Sequence, residues 1–139
     1  MTTIKVALEY VGYDVERLCA VGAECDALDL GAQTEHFYSS SPLDPIVSAG
    51  LGARYRLVDV DVPEWLLSGI RIGQADGRWY DGHSSEWWAA NIALYGVSRR
   101  EGWAYALRPL ITKRGKFADS LREFFAARGY LTDKQASFV

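Results

Sequence analysis

Arg78-Trp79-Tyr80-Asp81-Gly82-His83-Ser84-Ser85-Glu86-Trp87-Trp88 opens the stretch whose reading decides the fold, and it runs on through Arg99-Arg100, Trp103 and Tyr105 to Arg108. Four of the five tryptophans fall inside it, interleaved with arginines. A buried aromatic side chain removes roughly 150–250 Å² from water, worth about 25 cal/mol for each Å² of apolar area. Burying this stretch is therefore expected to supply a large share of the folding free energy. Ser84 or Ser85 can cap a helix opening at Glu86, with Trp88, Ile92 and Tyr95 on one face and Trp87, Ala90 and Leu94 on its neighbour. Gly96 or the Arg99-Arg100 pair closes it.

Upstream, Ala75-Asp76-Gly77 between short apolar runs is a hairpin signal. Pro63 to Leu67 fits a short helix that Gly69 ends. Arg54 to Val62 alternates as a strand, Val58, Val60 and Val62 against Asp59 and Asp61. Before it, Gln33 to Gly52 reads as irregular chain holding one short helix from Asp44-Pro45. Ile4, Val6, Leu8 and Tyr10 mark a first strand. Asp14 then suits the cap of a short helix carrying Val15, Leu18 and Cys19, followed by a short strand through Leu28 and Leu30.

Downstream, Trp103 to Ile111 alternates loosely and is expected as an edge strand, because Pro109 cannot donate to a ladder. Leu121, Phe124 and Phe125 define the apolar stripe of a helix ending at Gly129, with Tyr130 able to touch Phe125. Thr132-Asp133-Lys134-Gln135 has the form of a capping box. The expected class is α+β: a single domain over residues 1–139, with a small antiparallel sheet and several short helices packed on it.

Composition excludes several classes. At 139 residues, the chain can bury a core without a metal or disulfide staple. Cys19 and Cys25 are too few for a zinc quartet and too widely spaced for a thioredoxin motif. No signal peptide, membrane-length apolar run, Walker loop or dinucleotide fingerprint is visible, so a cytoplasmic protein with no cofactor is expected. Net charge is −3, yet Met1–Ile70 holds 4 Lys/Arg against 11 Asp/Glu and Arg71–Val139 holds 11 against 7. Such asymmetry points to a charged partner.

The constellation that answers to this charge combines Arg78, Trp79, Tyr80, Arg99, Arg100, Trp103, Tyr105, Arg108, Lys113, Arg114 and Lys116. Flat rings beside cations grip single-stranded nucleic acid, because every base has a π face and the backbone needs counter-charge. Protein interfaces are enriched in the same residues. A structural account competes: the rings build the core and the cations line a solvated rim. The enzymatic alternative uses His83 and Glu86, three residues apart near a helix start, with His36, Asp59 and Asp61. His36, Tyr38 and Ser39 to Ser41 could also line a polar pocket.

Lys116-Phe117-Ala118-Asp119-Ser120-Leu121 through Gly129-Tyr130-Leu131-Thr132-Asp133-Lys134-Gln135 resembles a helix–turn–helix tail of uncharacterised bacteriophage and prophage proteins. The resemblance covers about 20 of 139 residues. It implies a phage or mobile-element origin, where small accessory proteins often bind host factors or nucleic acid. With the aromatic–basic residues from Arg78 to Lys116 as the contact, the expectation is a non-enzymatic inhibitor or accessory factor in the host cytoplasm that binds nucleic acid, a host protein or a nucleoprotein complex.

Overall fold

The computed structural model describes residues 1–27, 55–79, 82–96 and 102–139. Its described elements are β1 (Thr2–Gly12), β2 (Val15–Val21), α1 (Ala23–Ala27), β3 (Tyr55–Val62), α2 (Glu64–Ala75), α3 (Ser85–Tyr95), a 3₁₀ turn (Gly102–Ala106), α4 (Leu107–Thr112), α5 (Lys116–Arg128) and α6 (Asp133–Ala136). The class is α+β, with a three-stranded antiparallel sheet in the order β2-β1-β3. The chain gathers into two compact units, Ile4–Val60 and Met1–Thr3 with Asp61–Val139. The first carries 4 Lys/Arg against 9 Asp/Glu and the second 11 against 9, so the acidic excess belongs to the sheet unit. The expected strand through Leu28 and Leu30, the helix from Asp44 and the His36–Ser41 pocket lie outside the described residues.

In the sheet unit, Ile4, Val6, Leu8 and Tyr10 are buried, as their alternation requires. The expected helix after Asp14 is instead strand β2. Tyr13 and Asp14 both adopt positive φ, 55° and 61°, between the paired residues Gly12 and Val15. That is a two-residue hairpin turn, and its backbone twist matches the flanking strands. A capping aspartate and a turn aspartate look alike locally; pairing with β1 decides between them. The Tyr10 hydroxyl accepts a hydrogen bond from the Asp14 amide at 3.3 Å, which helps hold the turn. Across the strands Arg17 meets Glu9 at 3.0 Å and Arg56 meets Glu16 at 3.2 Å. Ala7, Ala20 and Cys25 form a small second cluster, with Cys19, Tyr55 and Leu57 packed against it. Burial, then the Glu9 carboxylate, pushes the Cys19 thiol above its usual range.

The helical unit departs from the local reading at three places. Helix α2 does not stop at Gly69 but runs to Ala75. A Cβ at Gly69 would strike the Phe125 ring and come within 2.6 Å of the Phe125 carbonyl. One at Gly73 would strike the Trp79 ring and come within 2.8 Å of the Gly129 carbonyl. The two glycines are thus points of close approach between α2 and the end of α5, not terminators. Asp76-Gly77, expected as a hairpin, is the turn that ends α2, with the Arg78 and Trp79 amides bonded to the Gly73 carbonyl. Trp103 to Ile111 is helical rather than a strand. Pro109 sits in the first turn of α4, where its missing N–H costs nothing.

Elsewhere the local signals hold. Ser84 caps α3 through the Trp87 amide, and Gly96 follows that helix at φ 84°. Gly129 closes α5 in the left-handed conformation, and Thr132 with Gln135 forms the full capping box. Ser85, Ala89, Ala90 and Ile92 are the buried residues of α3, while Tyr95 is exposed.

Two stability tests follow from this packing. In Gly73→Ala, improved helix propensity of about 1 kcal/mol opposes an overlap with a backbone carbonyl that has nowhere to move. Overpacking of this kind costs roughly 1–3 kcal/mol, so urea titration should show net destabilisation of about 1 kcal/mol. Replacing Tyr13-Asp14 by Asn-Gly, which adopts positive φ at lower cost, should stabilise the protein by roughly 1–2 kcal/mol in the same assay.

Candidate functional site

Trp79, expected among the contact residues, is placed inside the helical unit as the hub of its ring packing. It is 8% exposed, and its ring meets Trp88 at 5.8 Å, Trp103 at 5.6 Å and Phe125 at 6.4 Å, all edge-on. Its indole N–H donates to the Gly129 carbonyl at 2.9 Å. Edge-to-face rings at these separations satisfy the quadrupole preference of aromatic pairs. Trp103 rests on Trp79 and Phe125 and is half-buried. Trp65 joins through Phe125 at 5.8 Å, and Trp87 through Trp88 at 4.9 Å. Of this stretch Trp79 is core, and Trp87, Trp88 and Trp103 are half-buried rings packed around it.

Three residues of the enzymatic alternative, His83, Glu86 and Asp61, have structural partners. His83 stacks on Trp87 at 3.7 Å with the planes 7° apart. Glu86 holds Arg71 at 2.7 Å, and that hydrogen bond keeps its carboxyl below the usual range. Asp61 accepts from the Thr3 hydroxyl at 2.6 Å; Asp59 is exposed. His36 lies outside the described residues. Among the described residues no group of three or more His, Cys, Asp or Glu side chains is placed to hold a metal ion.

The cations gather differently. Tyr80, Arg99 and Arg100 lie outside the described residues. Arg78 lays its guanidinium 4.1 Å over the Tyr130 ring. Tyr130 meets Phe124 edge-on at 5.6 Å, and Arg128 lies 5.0 Å over Phe124. At the other end of α5, Lys113, Arg114 and Lys116 are exposed beside the exposed Phe117. Arg122 shapes this loop by donating to the Leu110 carbonyl at 2.9 Å and the Lys113 carbonyl at 2.6 Å, while also pairing with Asp119. Tyr105 and Arg108 are exposed three residues apart, and Arg108 passes close to Gly96.

Helical periodicity joins the two ends. Ala118, Leu121 and Phe125 are the buried residues of α5. Phe124, expected in that stripe, is only half-buried. At 100° per residue, Phe124 and Arg128 lie within about 20° of Phe117 around the axis. They form a shoulder beside the buried face, with cations at both ends about 18 Å apart along α5. Among the described residues, Arg78 and Arg128 thus lie at one end of α5, and Lys113, Arg114 and Lys116 at the other. Phe117, Phe124, Arg128, Tyr130 and Phe138 are the members that composition alone does not single out. The seven-residue repeat of Phe117 and Phe124, set beside the core positions, is the signal that finds those two; Tyr130 and Phe138 enter only through the fold.

No protein-family model, curated protein or solved structure matches the chain. No helix among the described residues is long and apolar enough to cross a membrane.

Glu86 offers a check on the structural role given to it. A depressed folded-state pKa contributes stability that is complete above the unfolded value, about 4.3 for glutamate, and lost as pH falls through the folded value. Glu86→Gln should therefore flatten the acid-side fall in stability below about pH 4.3. The pair is largely exposed, so the change should stay within about 1 kcal/mol. Urea midpoints across the acid range measure it.

Proposed function

We propose that the helical unit binds nucleic acid, as a small non-catalytic protein of the accessory kind that phages and mobile elements encode. The observation that carries this reading is the pair of guanidinium–ring stacks on the α5 shoulder, Arg78 over Tyr130 and Arg128 over Phe124. A guanidinium held over a ring face by its carbon still has N–H donors to offer to phosphate oxygens. Because the rings position these side chains before binding, less rotamer entropy is lost when a phosphate arrives. Lys113, Arg114 and Lys116 supply a second set of charges at the far end of the same helix. Two phosphate-binding ends on one shoulder suit a linear polyanion better than a single small anion.

The test is a fluorescence-anisotropy titration of labelled oligonucleotide between about 50 and 200 mM salt. Wild-type protein should bind with an affinity that falls steeply over this range. Arg78→Ala with Arg128→Ala, both on exposed side chains, should weaken binding and flatten the log–log salt slope by roughly 0.7–0.9 for each phosphate that is no longer neutralised. Absence of binding by the folded wild type at the lower salt, or a slope indifferent to both arginines, sinks the reading.

A further inference from the structure

We propose that Phe117 and Phe138 form a station on which unpaired bases stack, which makes single-stranded nucleic acid the ligand of the α5 shoulder. The inference rests on the nucleic-acid reading above, but a different observation carries it. The two ends of the shoulder present their rings in opposite ways. At the Arg128 end each ring carries a guanidinium over it, so that end offers N–H donors. At the Lys116 end the rings of Phe117 and Phe138 are 53% and 58% exposed, and they meet edge-to-face at 6.0 Å. Among the described residues no guanidinium lies over either of them. Single exposed apolar side chains are ordinary; two exposed phenyl rings in contact, flanked by three cations, are not explained by the core.

The backbone beneath these rings is fixed. The Phe138 amide donates to the Gln135 carbonyl at 3.2 Å, and its own carbonyl accepts from the Lys113 ammonium at 3.4 Å. Gln135 is itself locked in the capping box with Thr132. Phe117 stands in the first turn of α5, and its carbonyl accepts from the Ser120 hydroxyl at 2.8 Å. The main chain of both residues is thus tied down, and their rings meet each other near Lys113 and Lys116. An exposed ring near cations is the element that single-strand binders use, since stacking needs no particular base and the phosphates take the charge. A duplex keeps its bases stacked within itself and presents mainly phosphate to such a surface.

The experiment compares a short oligothymidylate, the same length of strand built from abasic nucleotides, and a duplex of equal length, each labelled and titrated at low salt. The single strand should bind wild-type protein at least tenfold more tightly than the abasic strand or the duplex. Phe117→Leu with Phe138→Leu should lose on the order of tenfold in single-strand affinity for each ring, leave abasic and duplex binding unchanged, and recover with Phe117→Trp and Phe138→Trp. Equal affinity for all three ligands, or leucine variants that bind the single strand as wild type does, overturns the stacking station and leaves the phosphate reading standing. No binding of any of the three by wild-type protein overturns the phosphate reading, and this inference with it.

Discussion

The helical unit depends on how closely the end of α5 can approach α2. Gly69 and Gly73 lie one turn apart on α2, and each faces backbone or ring atoms of the Phe125–Gly129 segment or of Trp79. Gly129 in turn sits against the Gly73 backbone and 2.9 Å from the Gly69 carbonyl, measured from where its own Cβ would be. Any side chain at these three positions would force the helices apart. Separation would break the Trp79 bond to the Gly129 carbonyl and open the edge-to-face packing around that ring. The unfavourable propensity of two glycines within a helix, about 1 kcal/mol each, is offset by an indole and a phenyl ring buried at the seam, each worth several kcal/mol if removed.

This seam also orients the shoulder. Once Ala118, Leu121 and Phe125 are committed to the core, helix geometry leaves Phe117, Phe124 and Arg128 beside the interface. The turn that follows α2 carries Arg78 to Tyr130, just past the end of α5. The turn that follows α4, tied down by Arg122, carries Lys113, Arg114 and Lys116 to its beginning. Core packing and the candidate interface are therefore two faces of one helix, and the tryptophans serve the first.

Elements whose signals are local are legible from the residues. The Val60–Val62 alternation, the Ser84 cap, the left-handed Gly129 and the Thr132–Gln135 box each depend on neighbours within a few positions. The elements that depart from the local reading share a different cause. Asp14, Gly69, Asp76-Gly77 and Pro109 are punctuation residues whose local meaning is overridden by their surroundings: the β1 ladder, the α5 backbone, the close of α2, and the permissive first turn of α4. The site is legible in its chemistry but not in its placement. Rings and cations alternate visibly in the second half, yet which rings turn inward depends on the α2–α5 seam, and no spacing within Arg78–Arg108 encodes that seam.

Energetics separate the two arginine–ring stacks from ordinary structural contacts. An exposed cation–π contact contributes about 0.5–1 kcal/mol, whereas ordering an arginine side chain costs up to roughly 1.5–2 kcal/mol. The stacks add little or nothing to folding, unlike the buried Trp79 bond, whose removal would leave the Gly129 carbonyl without its partner. A contact of that size biases each guanidinium toward its ring without locking it, and in the proposed binding that bias lowers the entropy still to be lost. Phe117 and Phe138 are each more than half exposed, and in the proposed binding theirs are the ring faces on which bases would stack. The two ends of α5 differ in what they present, donor forks at one and open rings at the other. Phosphate and base are the two surfaces that a single strand exposes together.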